Sequence, residues 1–362
     1  VDRTVAGVNG VTSIPTLPAS SYLDPEVWDD EVRDVFRAGW VPVCRADRIP
    51  EVGDRYATTI AGHPVVAVRD QDGVRVLTNV CRHRWSTVVD PGCSHGRNLV
   101  CPYHRWSYAL DGHLQAAPLT NATDLDGVAL PEVRHELWLG FVMVNLDGTA
   151  PPVAESLAGL TEQLAPWRVD ELVTAGSRTF SSTWNWKVMV ENWIECYHHI
   201  GAHRTTVEPW QPARSTKVVD ADGPWAFMTV DTDAEIIGTP DEWSVPHGDE
   251  EAKLLTVWAA FPFLLGGTQS RFAFWLELTV RSVDRHDVTW HVLAHPDQLD
   301  AWSEGEAEGL LDLLAEVHQE DIASCRRVDE GLRSGALETG RLVELEAPIA
   351  HFHRWLRTAT PT

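Results

Sequence analysis

The sequence predicts an α+β protein in two units: a small all-β domain, then an antiparallel sheet with helices segregated from it. Three observations predict it. The hydrophobic period changes from helical to two after Gly39, Pro151-Pro152 punctuates the middle of the chain, and long consecutive strand candidates precede one long amphipathic stretch. At 362 residues the chain exceeds what one core normally fills. The boundaries read as 1–39 for an N-terminal segment and helix packing on the second domain, 40–150 for the β domain, and 151–362 for the remainder.

Residues 24–38 read as a helix, because Asp24 can cap it, Pro25 suits its first turn, Trp28, Val32, Val35 and Phe36 share a face, and Gly39 ends it. Short strands follow at 40–44, 64–68 and 74–78, then at 106–110, 132–136 and 140–145, with a turn at Asp111-Gly112. The second half opens with an amphipathic helix at 153–164 and a strand near 178–183. A buried helix is expected over 187–200, where Val188, Met189, Val190, Trp193 and Ile194 leave little room for a solvated face; Gly201 ends it. Strands at 225–231, 254–265, 271–283 and 287–294 favour an antiparallel sheet. Ser303 with Glu306 reads as a capping box opening a helix that runs to about residue 333.

A formal net charge of -24 argues against nucleic-acid binding, which needs a basic surface. It suits either a plain acidic surface or a preference for a cationic substrate. No apolar run is long enough to cross a bilayer, and the first residues lack a basic region followed by an apolar block, so the expected location is cytoplasmic. Of six cysteines, Cys44, Cys93, Cys196 and Cys325 form no recognisable disulfide framework, which suits a reducing compartment.

The chemistry concentrates in two stretches. In the first, Cys81-Arg-His83 and Cys101-Pro-Tyr-His104 are separated by seventeen residues. Structural zinc sites usually pair like with like, as C-x₂₋₄-C and H-x₃₋₅-H. Here each loop carries one cysteine and one histidine, the pattern of a [2Fe-2S] centre in which two histidines replace two cysteines on one iron. Pro102 stiffens the second loop. Tyr103, Trp106 and Ser107 flank it, placed to shield the cluster, hydrogen-bond its sulfurs or simply pack.

In the second stretch Glu191, Glu195 and His198 fall at i, i+4 and i+7, a polar stripe inside the apolar helix, and His203 follows on the next turn. Buried carboxylates need partners. The C-terminal helix offers one more: Leu310, Leu314, Val317, Cys325 and Val328 trace an apolar stripe, and the position that completes its rhythm is Asp321. Glu320 is turned by about 100° from it, although it is the alternative ligand. Two histidines and one carboxylate make the facial triad of a non-haem Fe(II) oxygenase, with positions open to O₂.

With both stretches in order, and with Gln319-Glu320-Asp321 near the end, the chain resembles the terminal oxygenase (alpha) subunit of the Rieske non-haem iron oxygenases over nearly its whole length. The resemblance implies a helix-grip catalytic domain after the Rieske domain and a homotrimer in which the cluster of one subunit serves the iron of the next. Glu195 matches the carboxylate that bridges His198 to cluster ligand His104 of the neighbour, and Asn192 is expected to line the iron site. Electrons would come from NAD(P)H through a separate reductase, with or without a ferredoxin, since the chain has no dinucleotide fingerprint. Glu195-Cys-Tyr-His198 looks more like members acting on quaternary ammonium compounds than like ring dihydroxylases, so monooxygenation or demethylation of a small organic molecule is favoured. Aromatic ring cis-dihydroxylation is the alternative, and a pure Rieske electron carrier is the rival of another class. Trp184, Trp186, Trp193, Tyr197 and Trp210 are candidates for a cation-accepting cage, for core packing or for walls around an aromatic substrate.

Overall fold

The computed structural model describes residues 13–120, 125–237, 239 and 242–360, so residues 1–12 of the expected N-terminal segment lie outside the description. Pro25–Glu31 (α1) starts as the sequence directs: the Asp24 side chain accepts from the Glu26 amide at 2.9 Å, and Pro25 occupies the first turn. The next turns, Val32–Arg37, widen to a π-helix. Phe36 there stands edge-on to Trp28, Trp186 and Phe263.

The first half is built of short strands: β1 Val41–Arg45, β2 Asp54–Ile60, β3 His63–Arg69, β4 Val74–Thr78, β5 Gly92–His95, β6 Leu99–Val100, β7 Ser107–Tyr108, β8 Leu114–Ala116, β9 Arg134–Trp138 and β10 Phe141–Asn145. They form antiparallel sheets in the orders β9-β10-β1, β4-β3-β2-β5 and β6-β7-β8. Neither β2 nor β5 was expected. In β2 only Ala57 and Ile60 are buried, and β5 is nearly all exposed, so neither carries a hydrophobic alternation to read. Val66, Val68, Leu77, Leu99, Tyr108 and Leu130 pack around Cys81 and Cys101, which places the metal loops on a rigid base.

In the second half the helix expected at 153–164 breaks at Leu157 into Val153–Ser156 and Ala158–Leu164 (α2). After β11 (Val173–Ser182), Trp186–Trp193 (α3) is capped by Asn185, whose side chain accepts from the Lys187 amide at 2.9 Å. The remaining strands are β12 Lys217–Val218, β13 Trp225–Asp231, β14 Leu254–Ala260, β15 Leu264–Thr268, β16 Ala273–Ser282 and β17 Arg285–Ala294. The seven-stranded sheet runs β11-β17-β16-β15-β14-β13-β12, with neighbours antiparallel throughout. The strand expected at 254–265 is a hairpin, β14 and β15, because Pro262 has no N–H for a ladder and marks the turn.

Glu306–Ser334 (α4) crosses this sheet, and Ala347–Ala359 (α5) closes the chain against the same core. The capping box is not formed. Gly305, at φ 85°, is the N-cap, and Glu306 Oε2 accepts instead from the Ser303 amide and hydroxyl at 3.0 and 3.1 Å. The buried face of α4 is Leu311, Leu314, His318, Asp321, Ile322 and Cys325, while Val328 is 48% exposed. A pattern that recurs every seven residues drifts by about 20° per repeat on a helix of 3.6 residues per turn. The expected stripe therefore holds at Leu314, Asp321 and Cys325 and slips at its ends.

Two buried polar clusters tie the halves together. Glu277 on β16 accepts from Arg48 at 3.0 Å and from Tyr56 on β2 at 2.8 Å, and pairs with His291 on β17 at 3.0 Å. Glu31 on α1 accepts from Lys187 and, at 2.9 Å, from Trp186 on α3. Among the described residues no helix is long and apolar enough to cross a membrane.

Candidate metal centres and active site

The two metal loops are built alike. In each, the cysteine amide donates to the carbonyl five residues on (Cys81 to Ser86, Cys101 to Trp106, both 2.8 Å), and the amide four residues on returns to the cysteine carbonyl (Trp85 and Arg105, both 3.1 Å). The residues at the return, Trp85 and Arg105, take φ of +57° and +61°. That conformation costs a non-glycine residue roughly 1–2 kcal/mol. Cys81 and Cys101 are each 2% exposed, whereas His83 and His104 face solvent. The imidazoles stand 4.6 Å apart, His83 stacked on Trp106 and His104 tilted against Tyr103. Such a set, thiols inward and imidazoles outward, fits a two-iron cluster whose outer iron takes the histidines. Among the described residues these four do not converge on a point as ligands of one zinc ion would. Tyr108, rather than Ser107, meets the sulfur: its hydroxyl lies 3.2 Å from Cys81 Sγ and accepts from the Arg82 amide at 3.1 Å. Ser107 accepts from Asn98 at 3.2 Å instead.

The second centre sits where α3 ends. The expected helix over 187–200 stops at Trp193, and Tyr197–Ile200 forms a 3₁₀ turn. Glu195 explains the break: its Oε2 accepts from the His198 amide at 3.1 Å while Oε1 lies 2.5 Å from His198 Nδ1, a geometry that a continuous helix does not allow. Glu191 points elsewhere, to Tyr22 and His353 at 2.7 and 2.8 Å. The expected polar stripe is therefore divided between two tasks.

His198, His203 and Asp321 converge, their ligand atoms all within 4.8 Å of one another. Asp321 Oδ1 lies 2.9 Å from His203 Nε2 and 3.6 Å from His198 Nε2, and accepts from Asn192 at 2.9 Å. Glu320 does not face away. Its Oε2 takes His203 Nδ1 at 2.7 Å and Thr206 Oγ1 at 2.6 Å. Each histidine thus has a carboxylate on Nδ1, which fixes the tautomer and leaves Nε2 for a metal. Burial works to raise the Asp321 carboxyl, but His203, His198 and Asn192 outweigh it and hold it below its ordinary value. Burial likewise lowers His203, and the two acids raise it above its ordinary value. Two imidazoles and one carboxylate, charge-poised and 18% exposed or less, are the donor set of a non-haem Fe(II) site.

A cavity of about 210 Å³ opens beside this triad. Trp193, Trp210, Phe272, Phe274 and Trp290 line it, with Asn192, His199, Gln211 and Gln269 among its polar residues. Burial pushes His199 down to about 3, and its Nδ1 faces the Gln211 carbonyl at 3.0 Å. Of the aromatic residues proposed as a cage, Trp193 and Trp210 line the cavity. Trp184 and Trp186, 1% and 0% exposed, are core, and Tyr197 is 41% exposed at the surface. Tyr108 and the glutamine pair gave no signal in the sequence, and Glu320 stood there only as the alternative ligand and not as the partner of His203 Nδ1, because each acts across chain segments that only folding brings together.

A family model described as the ring hydroxylating alpha subunit (catalytic domain) matches residues 169–362, and one described as the Rieske [2Fe-2S] domain matches 39–133. The chain is 36% identical over 193 residues to a glycine betaine monooxygenase oxygenase subunit of Chromohalobacter salexigens, covering 52% of this chain and 43% of that protein. It is 35% identical over 195 residues to a carnitine monooxygenase oxygenase subunit of Escherichia coli, covering 52% of each. The chain thus spans about half the length of the curated relatives it matches. A solved quaternary ammonium Rieske monooxygenase superposes with a TM-score of 0.83 over 96% of both chains at 20% identity, a likeness of fold.

Proposed function

Since the chain belongs to the ring hydroxylating alpha subunit family, we propose that it is the terminal oxygenase component of a multicomponent system that hydroxylates or demethylates a small organic substrate. Its electrons come from NAD(P)H through a separate reductase, with or without a ferredoxin. The observation that carries this reading is the convergence of His198, His203 and Asp321 beside an aromatic cavity, in a chain that also bears the two cluster loops.

The cofactors are a Rieske [2Fe-2S] cluster, for which Cys81, His83, Cys101 and His104 are the proposed ligands, and one mononuclear iron at the triad. When bound, the cluster supplies single electrons and the iron activates O₂. The protein's own part is orientation. Glu195 and Glu320 keep protons on the outer nitrogens of His198 and His203, and Asn192 holds Asp321 in one pose. Trp193, Phe274 and Trp290 exclude water from the space where substrate sits. The exposed tip formed by His83, Trp85, Tyr103 and His104 docks on the catalytic domain of a neighbouring copy in a homotrimer, with Glu195 between His198 and His104 of the partner subunit. The monooxygenase names of the relatives at 35% and 36% identity favour insertion of one oxygen atom.

Metal analysis of anaerobically purified protein tests this. About three irons and two inorganic sulfides per chain are expected, against about two irons for a pure electron carrier. Turnover under ¹⁸O₂ then separates monooxygenation, with one labelled oxygen in a hydroxylated product or in the formaldehyde trapped on demethylation, from a cis-diol with two.

A further inference from the structure

The cavity beside the triad has an uneven polarity that bears on its occupant. Its carboxylates, Glu195 and Asp321, are both engaged with histidines. Among the described residues no lysine or arginine lines it. What the lining does offer is one side-chain pair, Gln211 Nε2 donating to Gln269 Oε1 at 3.3 Å.

We propose that the Gln211–Gln269 pair holds the polar end of the substrate, and that this end is an uncharged group that both donates and accepts a hydrogen bond, a primary amide or an alcohol, rather than a carboxylate. This rests on the reading of the cavity as the substrate site. With one contact made between the two amides, one carbonyl and one NH₂ are left over. Turning both amides over exchanges their roles and leaves the same pair of groups, so the conclusion does not depend on how either amide is placed. The backbone that carries the pair is anchored: the Gln211 main-chain carbonyl faces His199 Nδ1 at 3.0 Å, and the Gln269 main-chain N–H donates to the Phe272 main-chain carbonyl at 3.2 Å. A carboxylate held there would lose its hydration and find no cationic side chain among the described lining residues, and the proposed iron belongs to the triad rather than to the glutamine pair. A neutral group, by contrast, finds both its partners at the pair itself. The aromatic residues Trp193, Trp210, Phe274 and Trp290 accommodate the rest of the molecule, whether an alkyl, aryl or trimethylammonium group.

The test is isothermal titration of the iron-loaded, anaerobic full chain with matched acids and amides: glycine betaine and its amide, carnitine and its amide, benzoate and benzamide. At least one amide is expected to bind on the order of tenfold more tightly than its acid. Gln211→Leu and Gln269→Leu should each abolish that preference at unchanged iron content, and either variant alone suffices if the other does not fold. The proposal is overturned if no pair shows the preference, or if the preference survives both substitutions. Iron stoichiometry is read independently, so a failure of the oxygenase reading is not mistaken for a failure of this one.

Discussion

Glu320 and Asp321 are adjacent on α4 and grip one imidazole from its two nitrogens. Asp321→Ala should therefore retain the visible spectrum of the cluster and lose the catalytic iron, read by metal analysis. Glu320→Gln should keep the site but weaken iron retention by roughly 10–100-fold in a chelator competition, the usual effect of removing a carboxylate behind a ligating histidine. Asp321 was legible because an acid interrupts an apolar rhythm. Glu320 was not, since helical period alone turns it aside and only the arrival of His203 and Thr206 from another segment gives it work. The same holds for Tyr108, which reaches Cys81 because β7 pairs with β6 beneath the loop. Its hydroxyl stabilises electron density on the sulfur, so Tyr108→Phe should lower the cluster's reduction potential, measured by potentiometric titration against the unchanged protein.

At the level of elements, α3 shows how an apolar segment is cut to length by chemistry. Composition predicts a helix to residue 200, and Glu195 ends it at Trp193 by capping the next turn. The other end of α3 is fastened by Lys187, 1% exposed, to Glu31, 3% exposed. Burial pushes the Lys187 ammonium below its ordinary value, and Glu31 counters it. Removing one partner strands a buried charge, so Lys187→Met should cost about 3–5 kcal/mol, seen as a lowered melting temperature. Pairing it with Glu31→Leu should return much of that loss. Strands that carry apolar, β-branched or aromatic runs, β3, β4, β13 and β17, could be read from the sequence, whereas β2 and β5 could not: their pairing is dictated by neighbours, not by an apolar face.

For the whole molecule, the cluster around Glu277 joins the two halves. Burial works to raise Glu277, but His291, Arg48 and Tyr56 prevail and hold it below its ordinary value of 4.5; burial also holds His291 below 6.5. Both groups take up protons more readily in the unfolded chain. Their stabilisation is thus present above the unfolded values and is lost as pH falls through the lower folded ones. Thermal midpoints should decline as pH drops from about 6.5 to below 4.5, and Glu277→Gln should flatten that decline. The order of the two centres along the chain was legible from ligand spacing, but the joint between the halves was not, because it depends on Arg48 and Tyr56 meeting β16 across more than two hundred residues.

Trp85, 83% exposed, and Arg105 both keep the left-handed backbone that glycine would adopt without cost. Exchanging both for glycine should relax the turns by roughly 1 kcal/mol each and strip the tip of its bulk, giving a sturdier protein by calorimetry and, on the proposed docking of this tip against a neighbouring copy, slower passage of charge by stopped-flow absorbance. Robustness and throughput pull in opposite directions at these two positions.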